Sequence, residues 1–459
     1  MRASIIELSG SLRKRKLSPV ELVRDCLTGI QSLGSRLNAF ITVIAESALE
    51  EARQAEAEIQ RGDWRGPLHG IPLALKDIVD TAGVRTTAAS ALFKDRIPSA
   101  DAEVARRLRI AGAVIVGKNN LHEFAYGGSS LVSAYGPVRN PWNPSFIAGG
   151  SSGGSAAAVG AGICLGAIGT DTAGSIREPA ALCAVVGLKP TYGRVSVRGV
   201  IPLSLSFDHV GPIAPSVEDS AVVLQAIAGH DPSDPGSVEK AVPDYIGALR
   251  QRLPHWKIGI PRGCFYDDLD PEVGAAVEQA ISVLKELGGQ LQEIELSVPT
   301  DRRLQSAESW AYHAAFVARS PELYQPETLR RIRSGEKVTA AEIERLRREL
   351  AKIRQDTERI LGQVEVLVTP TTPIPAPEID ELTANPDLLR PRELLLLRNT
   401  RPANVWGLPA ISVPCGFTKA GLPIGLQIVG RAWEETTVLR LAYAYEQATE
   451  WHKREPRIQ

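Results

Sequence analysis

The chain has 459 residues, of which 44% are hydrophobic and 23% charged, a composition typical of a globular protein with a large core. The 52 basic and 53 acidic residues give a net charge of -1, so there is no electrostatic reason to expect nucleic acid or an anionic membrane as a partner. The five cysteines are odd in number and widely spaced, which argues against a disulfide framework and for a reducing compartment, the cytoplasm.

The predicted elements begin with helices. Ser18, Pro19 and Glu21 form a capping box with proline at the first helical position, so a helix begins there. A second helix is predicted over about Glu46 to Gln60, which makes residues 1–65 a helical N-terminal segment.

From Gly66 the pattern changes to short apolar runs that alternate with helical periods, and this alternation predicts an α/β fold. The predicted strands here are Leu68 to Leu75, Ala113 to Val116, Val185 to Leu188 and Val195 to Ile201. The predicted helices are Asp101 to Ile110 and Ser216 to Ala228. A loop from His230 to Ser237 marks a structural boundary.

The second half repeats this alternation and adds charged helices. Its predicted strands are Lys257 to Ile260, Gln290 to Leu296, Glu365 to Val368, Ile411 to Cys415 and Ile424 to Val429. Its predicted helices are Pro271 to Leu287, Thr339 to Leu361 and Thr436 to Ala448. We interpret residues 1–459 as a single domain, with 66–230 and 365–459 as its core and 255–364 as a more variable helical and βαβ region.

Two segments rich in glycine and serine are the most unusual feature of the sequence. The first runs from Gly149 to Ser155 and the second from Gly169 to Arg177. Glycine lets the backbone approach a substrate closely, and a turn ending at Ser175 would direct several N–H groups at one point, as an oxyanion requires. A flexible linker is the alternative, but both segments lie between apolar runs.

Three familiar motifs fit this region poorly. Gly149 to Gly153 has the G-x-S-x-G pattern of a nucleophile elbow, yet a loop precedes it instead of a strand. Gly112 to Lys118 resembles a phosphate-binding loop, but Asn119 stands where serine or threonine is needed. His122 lacks the second histidine of a zinc-binding helix. A Ser-His-Asp triad stays open, because any of the seven histidines could belong to it.

Several motifs together resemble the amidase signature family of serine hydrolases. The matching segments are Gly70 to Asp77, Gly117 to Phe124, Gly149 to Ala158, Gly169 to Pro179, Cys183 to Arg194 and Gly407 to Pro414. The resemblance covers most of the chain and is weakest from Asp301 to Asn399. It implies a large mixed, twisted β-sheet sandwiched between α-helices, and an active site that needs no metal and no cofactor.

The resemblance also implies a Ser–cis-Ser–Lys triad. In this sequence Ser175 would be the nucleophile, Ser151 the proton relay and Lys76 the base. A lysine can act as a base only when it is uncharged, and the apolar run before Lys76 would lower its pKa by desolvation. A surface lysine near Asp77 is the alternative interpretation.

The implied oxyanion hole consists of the backbone N–H groups of Thr172, Ala173, Gly174 and Ser175. Ala173 and Ala184 both stand where the family usually has glycine. At Ala173 a backbone donor survives the change, but a position that needs a positive φ would be strained by it, and neither departure removes a catalytic group.

Further residues are interpreted as supports or as parts of the substrate pocket. Asp171, Arg177 and Ser152 are predicted to support the turn around the nucleophile, although the first two could instead form an ion pair elsewhere. The family places five residues near the substrate, and ordinary core packing is the alternative for each: Phe124, Ala125, Tyr126, Gly127 and Ile147.

Three functions follow from the resemblance. The first is a stand-alone hydrolase of a small-molecule amide or carbamate (urethane), or of an ester, with a homodimer as one open oligomeric state. The second is the A subunit of a glutamine-dependent tRNA amidotransferase, which has the same fold and triad. Residues 301–399 do not resemble its glutamine-site segment and there is no basic excess, so the sequence favours the stand-alone hydrolase. The third, a non-catalytic binding protein, is disfavoured by the intact triad.

Overall fold

The computed structural model describes residues 3–251 and 256–458. Its N-terminal segment contains α1 (Ile5–Arg13), α2 (Pro19–Leu37), β1 (Phe40–Val43) and α3 (Ala45–Arg61). Ser18 caps α2 in the predicted capping box: its hydroxyl accepts from Val20 N–H, and the Glu21 carboxylate accepts from its N–H. The sequence did not predict β1, which pairs with the sheet.

The central part alternates strands and helices, which the sequence predicted only in part. Its strands are β2 (Pro72–Lys76), β3 (Val114–Asn119), β4 (Ala167–Thr170), β5 (Val186–Lys189) and β6 (Val210–Ala214). Its helices are α4 (Glu103–Ile110), α5 (Gly153–Gly160), α6 (Arg177–Leu182) and α7 (Val217–Ile227).

In the second half, the described residues form five strands and ten α-helices. The strands are β7 (Trp256–Ile260), β8 (Gly289–Glu293), β9 (Val366–Pro370), β10 (Ala410–Phe417) and β11 (Pro423–Gly430). The helices are α8 (Tyr245–Ala248), α9 (Arg262–Phe265), α10 (Pro271–Glu286), α11 (Arg303–Arg319), α12 (Pro326–Arg333), α13 (Ala340–Leu361), α14 (Ile379–Ala384), α15 (Pro386–Leu396), α16 (Arg401–Trp406) and α17 (Glu435–Gln447).

One sheet of eleven strands runs through the molecule in the order β1-β3-β2-β4-β6-β5-β10-β11-β9-β7-β8. It is mixed, because β2 lies parallel to β3 and β4 and β7 lies parallel to β8 and β9, whereas the other neighbours are antiparallel. This large mixed sheet with helices around it confirms the predicted fold class.

Both faces of the sheet are buried. Along β2, Leu73 and Leu75 belong to one apolar cluster, and Ala74 between them belongs to another. Because successive side chains of a strand point to opposite faces, helices must cover the sheet on both sides. None of the helices within residues 3–251 and 256–458 is long and apolar enough to span a membrane.

The predicted strand from Val195 to Ile201 is wrong. These residues form a loop in which Val197 N–H donates to the Asp234 carboxylate (2.8 Å) and Val200 N–H donates back to the Val197 carbonyl (3.0 Å). The backbone groups are satisfied by a side chain and a turn, so the apolar run does not pair as a strand.

Candidate active site

Two neighbouring parallel strands place Lys76 and Thr170 side by side. Lys76 ends β2 and Thr170 ends β4, and the register pairs Leu75 with Ile168. Because parallel strands end at the same edge of a sheet, their last side chains meet there. The Lys76 Nζ donates to the Thr170 Oγ1 at 2.8 Å and to the Ser151 Oγ at 2.7 Å.

The amine of Lys76 is fully buried and is surrounded by hydroxyl groups. Burial lowers the pKa of Lys76 to about 7, although the charges of Asp171 and Asp208 act in the opposite direction. A group with this pKa is uncharged in a large fraction of molecules at neutral pH, so Lys76 is able to accept a proton.

The two glycine–serine segments are joined through their backbones. Ser151, whose peptide bond to Gly150 is cis, comes just before α5, and Ser175 lies in the loop between β4 and α6. The N–H of Ser152 donates to the carbonyl of Ser175 at 3.2 Å, and the Ser152 hydroxyl donates to the Thr170 carbonyl at 3.2 Å. The structure thus brings together the segments that carry Lys76, Ser151 and Ser175.

Asp171 and Arg177 form a buried ion pair that holds the loop before α6. The Arg177 Nε and Nη2 donate to the two Asp171 oxygens at 3.0 and 2.9 Å, and the N–H groups of Gly174 and Ile176 donate to the same carboxylate. Burial alone would raise the pKa of Asp171, but the charge and hydrogen bonds of Arg177 hold it well below its usual range. The pair therefore fixes the turn that carries Ser175.

The loop leaves three of the four predicted oxyanion donors available. The Gly174 N–H donates to Asp171 Oδ1 at 2.8 Å, so this group is not available to an oxyanion. Within the described part of the chain, the N–H groups of Thr172, Ala173 and Ser175 have no acceptor. The hole would then consist of these three donors.

Ala173 and Ala184, which stand where the family usually has glycine, differ in their backbone conformation. Ala173 does not have a positive φ, so alanine fits there without strain. Ala184 has a φ of 54°, in the left-handed region, where a residue with a Cβ costs about 1 kcal/mol relative to glycine.

The predicted pocket residues lie in more than one apolar cluster, with Phe124, Ala125 and Tyr126 in one and Ile147 in another. Phe124 packs edge-on against the ring of His313, with centroids 4.5 Å apart, and Ile147 lies in a separate apolar cluster with Leu182 and Leu396. Both side chains are buried in the core, and their place in a substrate pocket stays a prediction.

The other three have different neighbours. Ala125 lines a small cavity with Thr170, Thr172 and Asp208. The Tyr126 hydroxyl lies 3.2 Å from the Ser306 Oγ of α11. A Cβ on Gly127 would lie 2.1 Å from the His122 ring, so glycine allows the backbone to approach this histidine closely.

The sequence did not identify several groups around the site. The Thr172 hydroxyl donates to the Asp208 carboxylate at 2.5 Å, and burial raises the pKa of Asp208 to about 7. The Glu178 Oε2 accepts from the Gly150 N–H at 2.7 Å, and burial raises the pKa of this carboxyl. In the sequence, Thr170 stood out only as a polar residue at the end of an apolar run.

Among the described residues, no group of three or more histidine, cysteine, aspartate or glutamate side chains is arranged to hold a metal ion.

The sequence matches the Amidase family over residues 21–439. It is 42% identical to the A subunit of the glutamyl-tRNA(Gln) amidotransferase of Moorella thermoacetica, over 98% of each chain. The fold is similar to that of 6-aminohexanoate cyclic dimer hydrolase, with 30% identity and a TM-score of 0.89 over 99% of each chain. It is also similar to the A subunit of the glutamyl-tRNA(Gln) amidotransferase of Thermotoga maritima, with 33% identity and a TM-score of 0.77 over 97% of this chain and 94% of that one.

Proposed function

The chain belongs to the amidase family, and on that premise we propose that it hydrolyses a carboxylic amide through an acyl-enzyme formed on Ser175. The observation that supports this most is the fully buried amine of Lys76, 2.7 Å from the hydroxyl of Ser151. A serine hydroxyl must lose a proton to become a good nucleophile, and a lysine with a pKa of about 7 can take it.

The proposed reaction has two halves that use the same proton path. The Ser175 oxygen bonds to the amide carbon, its proton moves to Ser151, and the proton of Ser151 moves to Lys76. The N–H groups of Thr172, Ala173 and Ser175 would stabilise the oxyanion. The C–N bond then breaks, the proton returns to the leaving nitrogen, and an ester remains on Ser175. Water attacks this ester along the same path and releases the acid.

For the substrate, we propose glutamine, hydrolysed as the A subunit of a tRNA amidotransferase. The Moorella thermoacetica relative is matched at 42% identity over 98% of its length, which favours this function over the stand-alone hydrolase that the sequence favoured. The expected carbamate and urethane activity has no support from the relatives. With this function, the chain would act together with partner subunits and tRNA, and not on a small-molecule substrate alone. The reaction would take place in the cytoplasm, the compartment that the sequence predicts.

A stand-alone amide hydrolase is the second candidate, and one observation favours it. The TM-score to 6-aminohexanoate cyclic dimer hydrolase is 0.89, whereas that to the Thermotoga maritima amidotransferase protein is 0.77 at similar identity. The conformation of this chain is therefore nearer to that of the hydrolase.

The proposed chemistry is tested by removing one hydroxyl at a time. Ser175→Ala should abolish amide hydrolysis and labelling by a serine-reactive phosphonate, and Ser151→Ala should lower turnover by about 10²- to 10⁴-fold, because it breaks the proton path. Ser155→Ala is the matched control, since Ser155 lies in the same segment and its hydroxyl contacts Asn119 and the Ile168 carbonyl instead. Near-native turnover by Ser151→Ala would show that the relay is wrong.

The two candidates are separated by their need for partners. An amidotransferase A subunit should release ammonia from L-glutamine and support amidation of glutamyl-tRNA when its partner proteins are added. A stand-alone hydrolase should cleave small amides alone and give no amidated tRNA in the reconstituted mixture.

A further inference from the structure

Glu178, the second residue of α6, contacts both loops that carry the serines of the proposed proton path. Its backbone N–H donates to the carbonyl of Gly174, the residue before Ser175, at 2.7 Å. Its side-chain Oε2 accepts from the N–H of Gly150, the residue before Ser151, at 2.7 Å. One residue therefore joins the loop of the nucleophile to the loop of the relay.

The other contacts between and within these loops leave this role to Glu178. The preceding residue, Arg177, pairs with Asp171 and so holds the loop of Ser175. A backbone hydrogen bond from the Ser152 N–H to the Ser175 carbonyl, at 3.2 Å, joins the loops on the far side of Ser151. Before Ser151 in the chain, the Glu178 carboxyl makes the connection.

The backbone before Ser151 is packed tightly against Glu178. A Cβ on Gly149, whose φ is 78°, would lie 2.7 Å from the Glu178 Oε2 and 2.8 Å from the Pro179 Cα. On the opposite side, a Cβ on Gly150 would lie 2.9 Å from the Ser130 Oγ. Only glycines fit here without a shift, and the two glycines lie between Glu178 and Ser130.

Ser151 is thus held by hydrogen bonds on both sides. Its own carbonyl accepts from the His122 N–H at 3.2 Å and from the Ser130 hydroxyl at 3.4 Å. The Glu178 carboxyl holds the residue before it. The place of the Ser151 hydroxyl, 2.7 Å from the Lys76 Nζ, therefore depends on Glu178.

The Glu178 carboxyl is inaccessible to solvent, and its neutral form is favoured. Burial raises its pKa well above the usual value, the hydrogen bond from Gly150 acts in the opposite direction, and the charges of Glu393 and Asp171 raise the pKa further. Its Oε1 has no hydrogen-bond partner among the described residues. A buried carboxyl with one oxygen unpaired is unfavourable for stability, so its contact with Gly150 is the better reason for its presence.

We propose that Glu178 is a positioning residue that ties the loop of Ser151 to the start of α6 and so aligns the Ser151 hydroxyl with that of Ser175. This inference rests on the proposed proton path and adds the group that aligns it. A proton passes only between groups within hydrogen-bond reach, and a misplacement of about 1 Å costs about 10²-fold in rate. Loss of the tie should therefore lower kcat and leave substrate binding nearly unchanged.

Two substitutions of similar size separate the hydrogen bond from the volume of the side chain. Glu178→Gln keeps an oxygen that accepts from Gly150, and Glu178→Met fills the space without an oxygen. The substrate is L-glutamine or valeramide, whichever the native chain hydrolyses faster. Glu178→Met should lower kcat about 10- to 100-fold and change KM less than about threefold, whereas Glu178→Gln should keep kcat within about threefold of the native value.

Glu446 provides the matched control. It is also buried, and its Oε1 accepts from the Val217 N–H at 2.9 Å, which joins α17 to α7 instead of the two serine loops. Glu446→Met should lower stability and leave the kcat of the folded protein unchanged. Native kcat in Glu178→Met, or an equal loss in Glu178→Met and Glu178→Gln, would overturn the inference.

A shorter carboxyl replaces Glu178→Met if that variant does not fold. Glu178→Asp keeps the carboxyl but withdraws it from Gly150 by one methylene group. It should show the same loss of kcat with little change in KM. Native kcat in this variant would also overturn the inference.

Amide exchange separates this inference from the proposed chemistry. In Glu178→Met or Glu178→Asp, the Gly150 N–H should exchange with deuterium at least about tenfold faster than in the native chain, and in Glu178→Gln at nearly the native rate. If no amide is hydrolysed but exchange follows this order, the proposed chemistry is wrong and the tie stands. If Gly150 exchanges at one rate in all variants, Glu178 does not hold this loop and the inference is wrong.

Discussion

Two buried lysines on neighbouring strands, Lys76 in β2 and Lys118 in β3, have similar burial but different surroundings. Lys118 pairs in register with Leu75, the residue before Lys76, and both amines are inaccessible to solvent. Burial lowers the pKa of Lys76 to about 7 and that of Lys118 to about 8. Desolvation alone therefore does not distinguish a base from a structural lysine.

The partners of the two amines make the distinction. Lys76 contacts the hydroxyls of Ser151 and Thr170, and a hydroxyl can accept from an ammonium or donate to a neutral amine. Lys118 also donates to the Thr86 hydroxyl, but unlike Lys76 it donates to a carbonyl, that of Val79, and lies 3.8 Å from the Asp77 carboxylate, and these two groups only accept. Lys76 can therefore exchange its proton, whereas the environment of Lys118 favours the charged ammonium.

Removing the amine of Lys76 gives the largest expected effect. Lys76→Met should lower kcat for amide hydrolysis by about 10²- to 10⁴-fold, because Lys76 is the only titratable group within the described residues that hydrogen-bonds to the Ser151 hydroxyl. The fold should be retained, since the change removes a group whose charge burial disfavours and leaves no carboxylate in direct contact unpaired. Turnover rates measure the loss of kcat, and thermal unfolding measures whether the fold is retained. A variant that unfolds instead of losing turnover would contradict both expectations.

The same substitution at Lys118 should affect stability instead of the chemistry. Lys118→Met leaves the Asp77 carboxylate buried without its cation, which should lower the free energy of unfolding by about 3–5 kcal/mol. The double variant Lys118→Met with Asp77→Asn should recover part of this loss, because it removes the unpaired charge. Urea unfolding measures both. A kcat loss as large as that of Lys76→Met in folded protein would remove the distinction between the lysines.

The sequence predicted the strands that carry these lysines but not all of their neighbours in the sheet. The short apolar runs before Lys76 and Lys118 predicted strands, and both strands are present. β6 was missed because Gly211 and Pro212 indicate a turn. Gly211 is needed there, since a Cβ would lie 2.2 Å from the Leu188 carbonyl oxygen.

The sequence predicted which residues carry the chemistry of the candidate site, but it did not predict the contacts that support them. The resemblance named Lys76 and Ser151, which the structure places 2.7 Å apart. It did not name Thr170, because a contact across 94 residues depends on the register of two strands and not on local sequence.

The pH dependence of turnover tests the direction of the Lys76 shift. Lys76 acts only when uncharged, so kcat should rise about tenfold per pH unit below a pKa of about 7 and level off above it. The Asp208 charge raises the pKa of Lys76, and Asp208→Asn should therefore move this rise to lower pH. Asp80→Asn is the control, because Asp80 acts on Lys118. A rate that falls between pH 6 and 8 would contradict Lys76 as the base.

The smallest expected effect comes from removing one threonine hydroxyl that contacts a lysine amine. Thr170→Val removes the 2.8 Å contact to Lys76 and should lower kcat about three- to tenfold, the usual range for one hydrogen bond. The rise of kcat with pH should also move to lower pH, because the ammonium loses an acceptor. Thr86→Val removes the equivalent 2.7 Å contact to Lys118 and should change neither quantity. If both variants moved the pH profile alike, Lys118 would share in the titration, and the partners of a buried lysine would not decide its role.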